Sequence, residues 1–279
     1  MRSSSDRLKF IVGYTLIILL SLPSCYEPQD GCLDIEATNF DFTADNPCAD
    51  CCTYPNLEVR LKHSVGDTSL PFGENFTIDG SQFFRIVSWE FYFSDLQLCR
   101  SGEKISVLDT LALPIRENGD LFFETIEDNF AYVSRTDFTL NMGTVRTSGQ
   151  FDSIRFNIGV NAQANRGQAD SLSASHPLGL NTEENNWNET DGYLFQRIRL
   201  IRDTLNLEDT LELQIVADPQ LISIELPYSL NVASGFTVSI PIDIDYFMWL
   251  KGIDFVADTE EVMKTKIVGN TAEAFSILE

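Results

Sequence analysis

The chain has 279 residues, of which 43% are hydrophobic and 11% aromatic, and its formal net charge is −23. This composition argues against a disordered chain, because it supplies enough apolar surface for a packed core. The negative charge argues against nucleic acid as a partner, since contact with a phosphate backbone needs a basic face. Length alone allows one large domain or two small ones.

The first residues have the features of an export signal. Three basic side chains precede an apolar run at residues 10–22, and the sequence Leu-Pro-Ser-Cys then ends at Cys25. The run is too short to predict a membrane span. Because the Leu-Pro-Ser-Cys sequence resembles a bacterial lipobox, we expect residues 1–24 to be removed and Cys25 to be acylated as the only membrane anchor. The alternative is an ordinary signal peptide followed by a chance cysteine.

Residues 25–56 are predicted to contain the lipid anchor, a short tether and a small module rich in cysteine and aspartate. An exported protein meets an oxidising compartment, so two disulfides and one free thiol are the simplest expectation, with the pairing left open. Cys51 and Cys52 are adjacent and should face different partners. Thiolate binding of zinc or copper by the CxxCC cluster is the alternative. The candidates for disulfide formation are Cys32, Cys48, Cys51, Cys52 and Cys99.

The same module contains closely spaced hard oxygen ligands of the kind that calcium prefers. It is not an EF-hand, because Ala44 stands where that loop needs glycine for its sharp turn. The alternative is a solvated loop held by disulfides. The candidate calcium ligands are Asp34, Asn39, Asp41 and Asp45.

Residues 57–279 change to short runs of alternating or β-branched residues separated by Gly, Asn, Asp and Pro turns. Helix signals are few, and the best covers residues 259–266 with Thr259 or Asp258 as the N-cap. Many short strands with little helix predict an all-β fold, an antiparallel β-sandwich or barrel, beside the small disulfide-rich module. Within this domain, two strand-like runs enclose a long polar loop that holds His176, and loops of that length are usually functional or disordered.

Several motifs in this domain, taken in order, resemble the MbnP-like family of envelope proteins, which is named for a methanobactin-associated, copper-linked periplasmic protein. The resemblance covers about residues 57–279. Each motif alone is weak evidence, and the resemblance rests on the order and spacing of the motifs together. The motifs are LKHSVGD with His63, the aromatic strand WEFYFSDLQL, IRFNIGV followed by SHPLGL with His176, WNETDGYLFQRIRL with Trp187, Gly192 and Tyr193, and a tail with Asn270 and Phe275.

The family resemblance implies an all-β fold and, for some members, copper binding through histidine and an oxidised tryptophan. This chain departs from the family pattern because Gln214 replaces a histidine found in many relatives and one tryptophan is missing near Trp187. His63 and His176 are the only histidines and therefore the only imidazole candidates for copper, which prefers imidazole and soft sulfur ligands. His63 also fits a buried strand histidine and His176 an exposed loop histidine.

The remaining candidates are better explained by packing or solvation than by chemistry. Trp89, Trp187 and Trp249 are expected to pack, while Asp243 and Asp245 should face away from the core on an alternating strand. No nucleophile elbow, phosphate loop or HExxH motif occurs, so we expect no enzyme activity.

The sequence predicts a lipid-anchored envelope protein of the outer membrane, periplasmic or exposed at the surface, with copper as the expected ligand of the β domain. The alternative is an accessory subunit or binding module of an outer-membrane protein assembly, with no metal in that domain. Histidines that converge on a cavity would favour copper. An exposed apolar patch near the long loop would favour the accessory module.

Overall fold

A computed structural model describes residues 26–48, 50–66, 68–69, 73–78, 82–182, 185–202, 209–216 and 220–278. The predicted signal peptide and the predicted lipidation site, Cys25, lie outside the described residues. Within the described part of the chain, no helix has the length and apolar character needed to cross a membrane.

Strands dominate the described residues, as the alternating sequence predicts. They are β1 (Asp30–Gly31), β2 (Asn46–Pro47), β3 (Asn56–Val65), β4 (Thr68–Ser69), β5 (Phe76–Ile78), β6 (Gln82–Arg100), β7 (Glu103–Ile105), β8 (Thr110–Glu117), β9 (Asp120–Glu127), β10 (Phe130–Ser134), β11 (Thr139–Thr144), β12 (Gly149–Ile158), β13 (Trp187–Asn188), β14 (Gly192–Ile201), β15 (Thr210–Val216), β16 (Ile222–Val232), β17 (Val238–Asp245) and β18 (Phe275–Ile277).

Two sheets of the β domain pack face to face, which confirms the predicted all-β sandwich. The larger runs in the order β13-β14-β6-β12-β16, with β15 added to β14 and with β5, β7 and β10 added to β6. The smaller runs β11-β3-β17-β18, with β4 added to β3. Pairing is antiparallel in both sheets except that β17 and β3 run parallel, with Ile242 opposite Leu61.

The core between the sheets follows the two-residue alternation of the strands. In β3, Leu57, Val59 and Leu61 are buried, and His63 continues the same face. In β17, the isoleucines are buried while Asp243 and Asp245 are partly exposed, as predicted. Burying a side chain of this size fully contributes roughly 1.5–3 kcal/mol, so the two strands are strongly held in register.

An aromatic group fills the centre of this core. The rings of Trp89 and Trp249 lie 4.7 Å apart, and the ring of Tyr246 lies 5.1 Å from Trp89. Trp249 also donates from Nε1 to Thr271 Oγ1 at 2.9 Å, which satisfies its polar atom. Trp89 and Trp249 are fully buried and Trp187 nearly so, as the packing interpretation predicts.

Two α-helices follow β17 near the end of the chain. Helix α1 (Tyr246–Trp249) begins where the side chain of Asp245 accepts from Phe247 N. Helix α2 (Glu260–Asn270) begins at the predicted N-cap, Thr259, whose side chain accepts from Val262 N. The predicted helix therefore exists and extends four residues further than expected.

The N-terminal module is held by two disulfides, Cys32–Cys52 and Cys48–Cys51. The adjacent Cys51 and Cys52 therefore have different partners, as expected. Cys99, the fifth disulfide candidate, is a free buried thiol on β6. Among the described residues, four of the five candidate cysteines thus form two disulfides and Cys99 is the free thiol of the expected count.

Candidate functional site

The long loop between β12 and β13 is folded over a hydrophobic cluster separate from the main core. It contains two short 3₁₀ turns, Ala164–Arg166 and Ala169–Ser171. Gly159 lets the chain leave β12 at a φ of 112°, where a Cβ would lie only 2.6 Å from the ring of Phe195. The loop supplies Val160, Ala164, Ala169 and Leu178 to the second cluster, and neighbouring strands supply Tyr92, Leu113, Ile115, Ile126, Phe130, Trp187, Tyr193 and Phe195.

The start of the loop is fixed by a partly buried carboxylate on β6. Asp95 accepts hydrogen bonds from the side-chain amides of Asn157, at 2.7 Å, and Asn161, at 3.1 Å. Asn161 in turn accepts from Ala164 N at 2.9 Å and so caps the first turn of the loop. Burial raises the pKa of Asp95, and the nearby charge of Glu127 adds to that shift, while Arg155 and the two amides oppose it.

Buried tyrosine hydroxyls hold the far half of the loop. Tyr92 donates to Pro177 O at 3.1 Å and Tyr193 donates to Leu178 O at 2.7 Å. The side chain of Asn186 donates to Tyr92 Oη at 2.8 Å and to Gly179 O at 3.0 Å. Burial raises the pKa of both tyrosines, so they remain protonated donors. These contacts make the loop a fixed platform rather than an unstructured connection.

His176 joins this platform to the end of β9. Its Nδ1 accepts from Leu178 N at 3.0 Å, and its Nε2 lies 3.0 Å from Asp128 Oδ1. Because a backbone N–H donates to Nδ1, the ring proton lies on Nε2 and is donated to Asp128. Open clefts of about 220 Å³ and about 180 Å³ flank the ring, the first beside Tyr132 and the second beside Asn141.

His63 lies in a different environment, at the rim of the main core. Its Nε2 lies 2.7 Å from Asp137 O and its Nδ1 lies 2.8 Å from Tyr246 Oη. A carbonyl oxygen only accepts, so Nε2 carries the proton and Tyr246 donates to Nδ1. Burial lowers the pKa of His63 despite the opposing contact with Asp137.

These two environments bear on the copper expectation for His63 and His176. Each ring uses both nitrogens in protein hydrogen bonds, and the two rings share no hydrogen-bonding partner. Among the described residues, no group of three or more His, Cys, Asp or Glu side chains lies close enough to hold a metal ion. The donor atoms as arranged do not fit a copper site, and copper binding stays a prediction.

Gln214, at the position where the resemblance implies a histidine, lies on the exposed face of β15. It alternates with buried Leu213 and Ile215, and its amide donates to Glu212 Oε1 at 2.7 Å. A histidine at this position would point away from both hydrophobic clusters.

The candidate calcium ligands of the module are used in separate hydrogen bonds. Asp34 pairs with Arg146, with Oδ2 and Nε 2.6 Å apart, and also accepts from Tyr54. Asn39 bridges to the backbone of residues 51 and 53, while Asp41 accepts from Thr43 and Asp45 accepts from Tyr26 and Gln29. Each side chain stabilises a local turn or a contact with the β domain, and calcium binding stays a prediction.

An exposed apolar patch lies on the β8–β9 hairpin, which forms a separate two-stranded sheet. Leu121, Phe122 and Phe123 are 44%, 38% and 64% exposed. We call these three residues the hairpin patch. Sequence reasoning missed it, although Asn118 and Gly119, both at positive φ, mark a hairpin turn one residue before three consecutive apolar residues.

The hairpin is braced against the long loop. Arg166 pairs with Glu117 at 2.8 Å and with Glu124 at 3.3 Å, spanning both strands of the hairpin. The backbone N–H of Gln168 donates to Pro114 O at 2.8 Å. These contacts fix the hairpin to the loop through the face that carries Glu117, Phe122 and Glu124, whereas Leu121 and Phe123 lie on the opposite face of the hairpin.

Two comparisons with known proteins give a match. The model of the MbnP family matches residues 54–265. The solved structure of MbnP from Methylosinus trichosporium aligns with a TM-score of 0.43 at 12% identity, covering 71% of this chain and 78% of that chain. No curated protein matches the sequence.

Proposed function

The chain belongs to the MbnP family, as its motifs predicted, and we propose that it is a non-enzymatic, lipid-anchored accessory module of the bacterial outer membrane. It binds a protein partner in the envelope through the hairpin patch and the adjoining long loop. It does so without a resident metal in the β domain. The anchor is the acylated Cys25, for which the preceding Leu-Pro-Ser sequence is the support.

The observation that carries this proposal is the exposed hairpin patch beside the long loop. Exposed aromatic residues that cluster on a rigid surface are typical of protein interfaces, where such side chains supply most of the binding energy. Phe123 is the most exposed of the three, at 64%, and it stands directly opposite Pro114 on the neighbouring strand. Leu121 and Phe123 project from the same face of β9, while Phe122 projects from the other face opposite Ile115, so a partner would contact the side chains of Leu121 and Phe123.

The rigidity of the platform supports the same function. Association costs less when side chains and loops are already ordered, because less conformational entropy is lost on binding. The long loop is held by Tyr92, Tyr193 and Asn186, and the hairpin by Arg166. Full use of both ring nitrogens in His63 and His176 supports a β domain without bound copper.

Site-specific photo-crosslinking in living cells tests this function. The full chain carries p-benzoylphenylalanine at position 123 in the organism that encodes it, and a matched chain carries it at position 256. Val256 is 88% exposed and lies outside the hairpin and the loop. We expect a discrete light-dependent adduct with one outer-membrane protein from position 123 and none from position 256. L121S/F123S should weaken copurification of that protein more than about tenfold, the loss expected for interface aromatics.

Two results would contradict this proposed function. Equal labelling from positions 123 and 256 would remove the hairpin patch as an interface. Near-stoichiometric copper in protein purified without chelator, lost in H176A, would replace the accessory function with copper binding. Elemental mass spectrometry of the same preparations supplies that measurement.

A further inference from the structure

The first half of the N-terminal module has its polar side chains engaged and its apolar side chains exposed. Asp34 binds Arg146 and Tyr54, and Glu36 accepts from Ser148 Oγ at 2.6 Å. These contacts turn the polar residues toward the β domain. The apolar residues on either side of them remain in solvent: Leu33, Ile35, Phe40 and Phe42 are 40%, 62%, 43% and 83% exposed.

In an ordinary surface loop the polar side chains face solvent and the apolar side chains are covered, and here the opposite holds. A single exposed apolar residue needs no explanation, but four within ten positions form an apolar set on a module of about thirty residues. Tyr26 adds a fifth side chain, 67% exposed. We call these five residues the apolar face of the module.

The module begins directly after the predicted lipid anchor. Tyr26 donates to Asp45, and the backbone of Gln29 forms hydrogen bonds with Asp45 in both directions, at 2.9 Å and 2.8 Å. Strand β1 then pairs with β2 from Asp30 onward. Tyr26, which follows Cys25 directly and lies in the expected tether, is therefore bonded to the module.

We propose that the apolar face lies in the boundary between headgroups and acyl chains of the bilayer that holds Cys25, and so fixes the orientation of the β domain on the membrane. The inference rests on the proposed lipid anchor. A compact unit of this size has a radius of gyration of about 8 Å, so an anchor at its first residue keeps the whole module near the headgroups. Aromatic and aliphatic side chains are favoured at that depth.

The charge of the module determines which lipid headgroups it can approach. Residues 26–55 contain seven acidic side chains and no Lys or Arg. Anionic headgroups would repel such a module, so the expected surface is zwitterionic, as in phosphatidylethanolamine. The acyl chains of Cys25 supply the affinity, and the apolar face supplies the orientation.

Fluorescence quenching by brominated lipids tests the inference on the full acylated chain in vesicles of zwitterionic phospholipid. F42W introduces a reporter into the apolar face, and V256W introduces one at an exposed position of the β domain. The buried native tryptophans give the same background in both variants. We expect bromine on the acyl chains to lower the added emission of F42W about twofold, and to leave that of V256W unchanged. Replacing half of the lipid by phosphatidylglycerol should reduce the quenching.

The outcomes separate this inference from the proposed function. Unquenched F42W in protein that carries acyl mass on Cys25 and floats with the vesicles overturns the orientation and leaves the anchor intact. Equal quenching of F42W and V256W shows that the module sets no orientation. Absence of acyl mass overturns the anchor and the inference together. Stronger quenching with phosphatidylglycerol would show that the surface is anionic, against the proposal.

Discussion

His63 and His176 are the only histidines of this chain, and they form different contacts at the two hydrophobic clusters. His63 is only 5% exposed on a regular strand and forms hydrogen bonds with Tyr246 in the main core and with Asp137. His176 is partly exposed on the long loop and joins the second cluster to Asp128. His63 thus forms hydrogen bonds inside the sandwich, whereas His176 fixes the long loop to Asp128 at the end of β9.

The difference shows that the free energy of unfolding lost with a histidine depends on whether its former partners can form hydrogen bonds with solvent. Tyr246 is fully buried, so bulk solvent cannot reach its hydroxyl to replace the acceptor that His63 supplies. Asp128 is about one-third exposed and can turn to solvent. Buried polar groups left without a partner cost far more than exposed ones.

The largest expected effect is that of H63A. It leaves a cavity, removes the donor to Asp137 O and leaves the hydroxyl of Tyr246 without an acceptor. We expect the free energy of unfolding to fall by about 3 kcal/mol, measured by urea denaturation. Y246F should cost about 1.5 kcal/mol, because it orphans only Nδ1.

The double variant H63A/Y246F sharpens this interpretation. Removing both partners abolishes the orphaned hydroxyl, so its cost should be clearly less than the sum of the single variants. Additive costs would mean that the two side chains act independently, and would contradict a shared hydrogen bond as the source of the stability.

A smaller effect is expected for H176A. Asp128 loses its donor but is partly exposed, and Leu178 N loses its acceptor within the smaller second cluster, so the global cost should be about 1 kcal/mol, below that of H63A. The main consequence is local: the amide of Leu178 should exchange with deuterium much faster, while amides of β6 remain unchanged. D128N is the matched control, since it alters the Nε2 contact and keeps the Nδ1 contact.

Comparable exchange rates at Leu178 in H176A and the wild type would show that the tyrosines alone hold the loop. A global loss as large as that of H63A would show that the platform and the main core unfold as one unit. Either result would remove the distinction between the two histidine environments.

The strand pattern predicts much of the fold because burial on a pleated strand is a local property. Alternation in β3 and β17 identified the buried face, including His63, and the N-cap at Thr259 identified the helix. The parallel pairing of β17 with β3 was not predictable, because it depends on contacts between segments about 180 positions apart.

The candidate site was less predictable for the same reason. The length of the long loop indicated a functional segment, but nothing local links His176 to Asp128, 48 positions earlier, or His63 to Tyr246, 183 positions later. The hairpin patch did carry a local signal, the Asn118-Gly119 turn before Leu121, and alternation alone does not reveal that its apolar residues stay exposed.

The smallest expected effect is the response of His63 to pH. Burial holds its pKa below the ordinary value of 6.5, so the unfolded chain takes up a proton at a higher pH than the folded chain. The stability that neutral His63 contributes is therefore complete above about pH 6.5 and is lost as pH falls below it, toward the lowered pKa of the folded state. Asp95, whose pKa is raised by burial, contributes with the opposite sign at acid pH.

Comparison with H63Q isolates this contribution, because Asp95 titrates equally in both proteins and cancels in the difference. At pH 7 the wild type should unfold at a higher urea concentration than H63Q, and the gap should narrow at pH 5. A gap that widens on acidification would mean that protonated His63 is stabilised in the folded state, as it would be beside an ionised carboxylate.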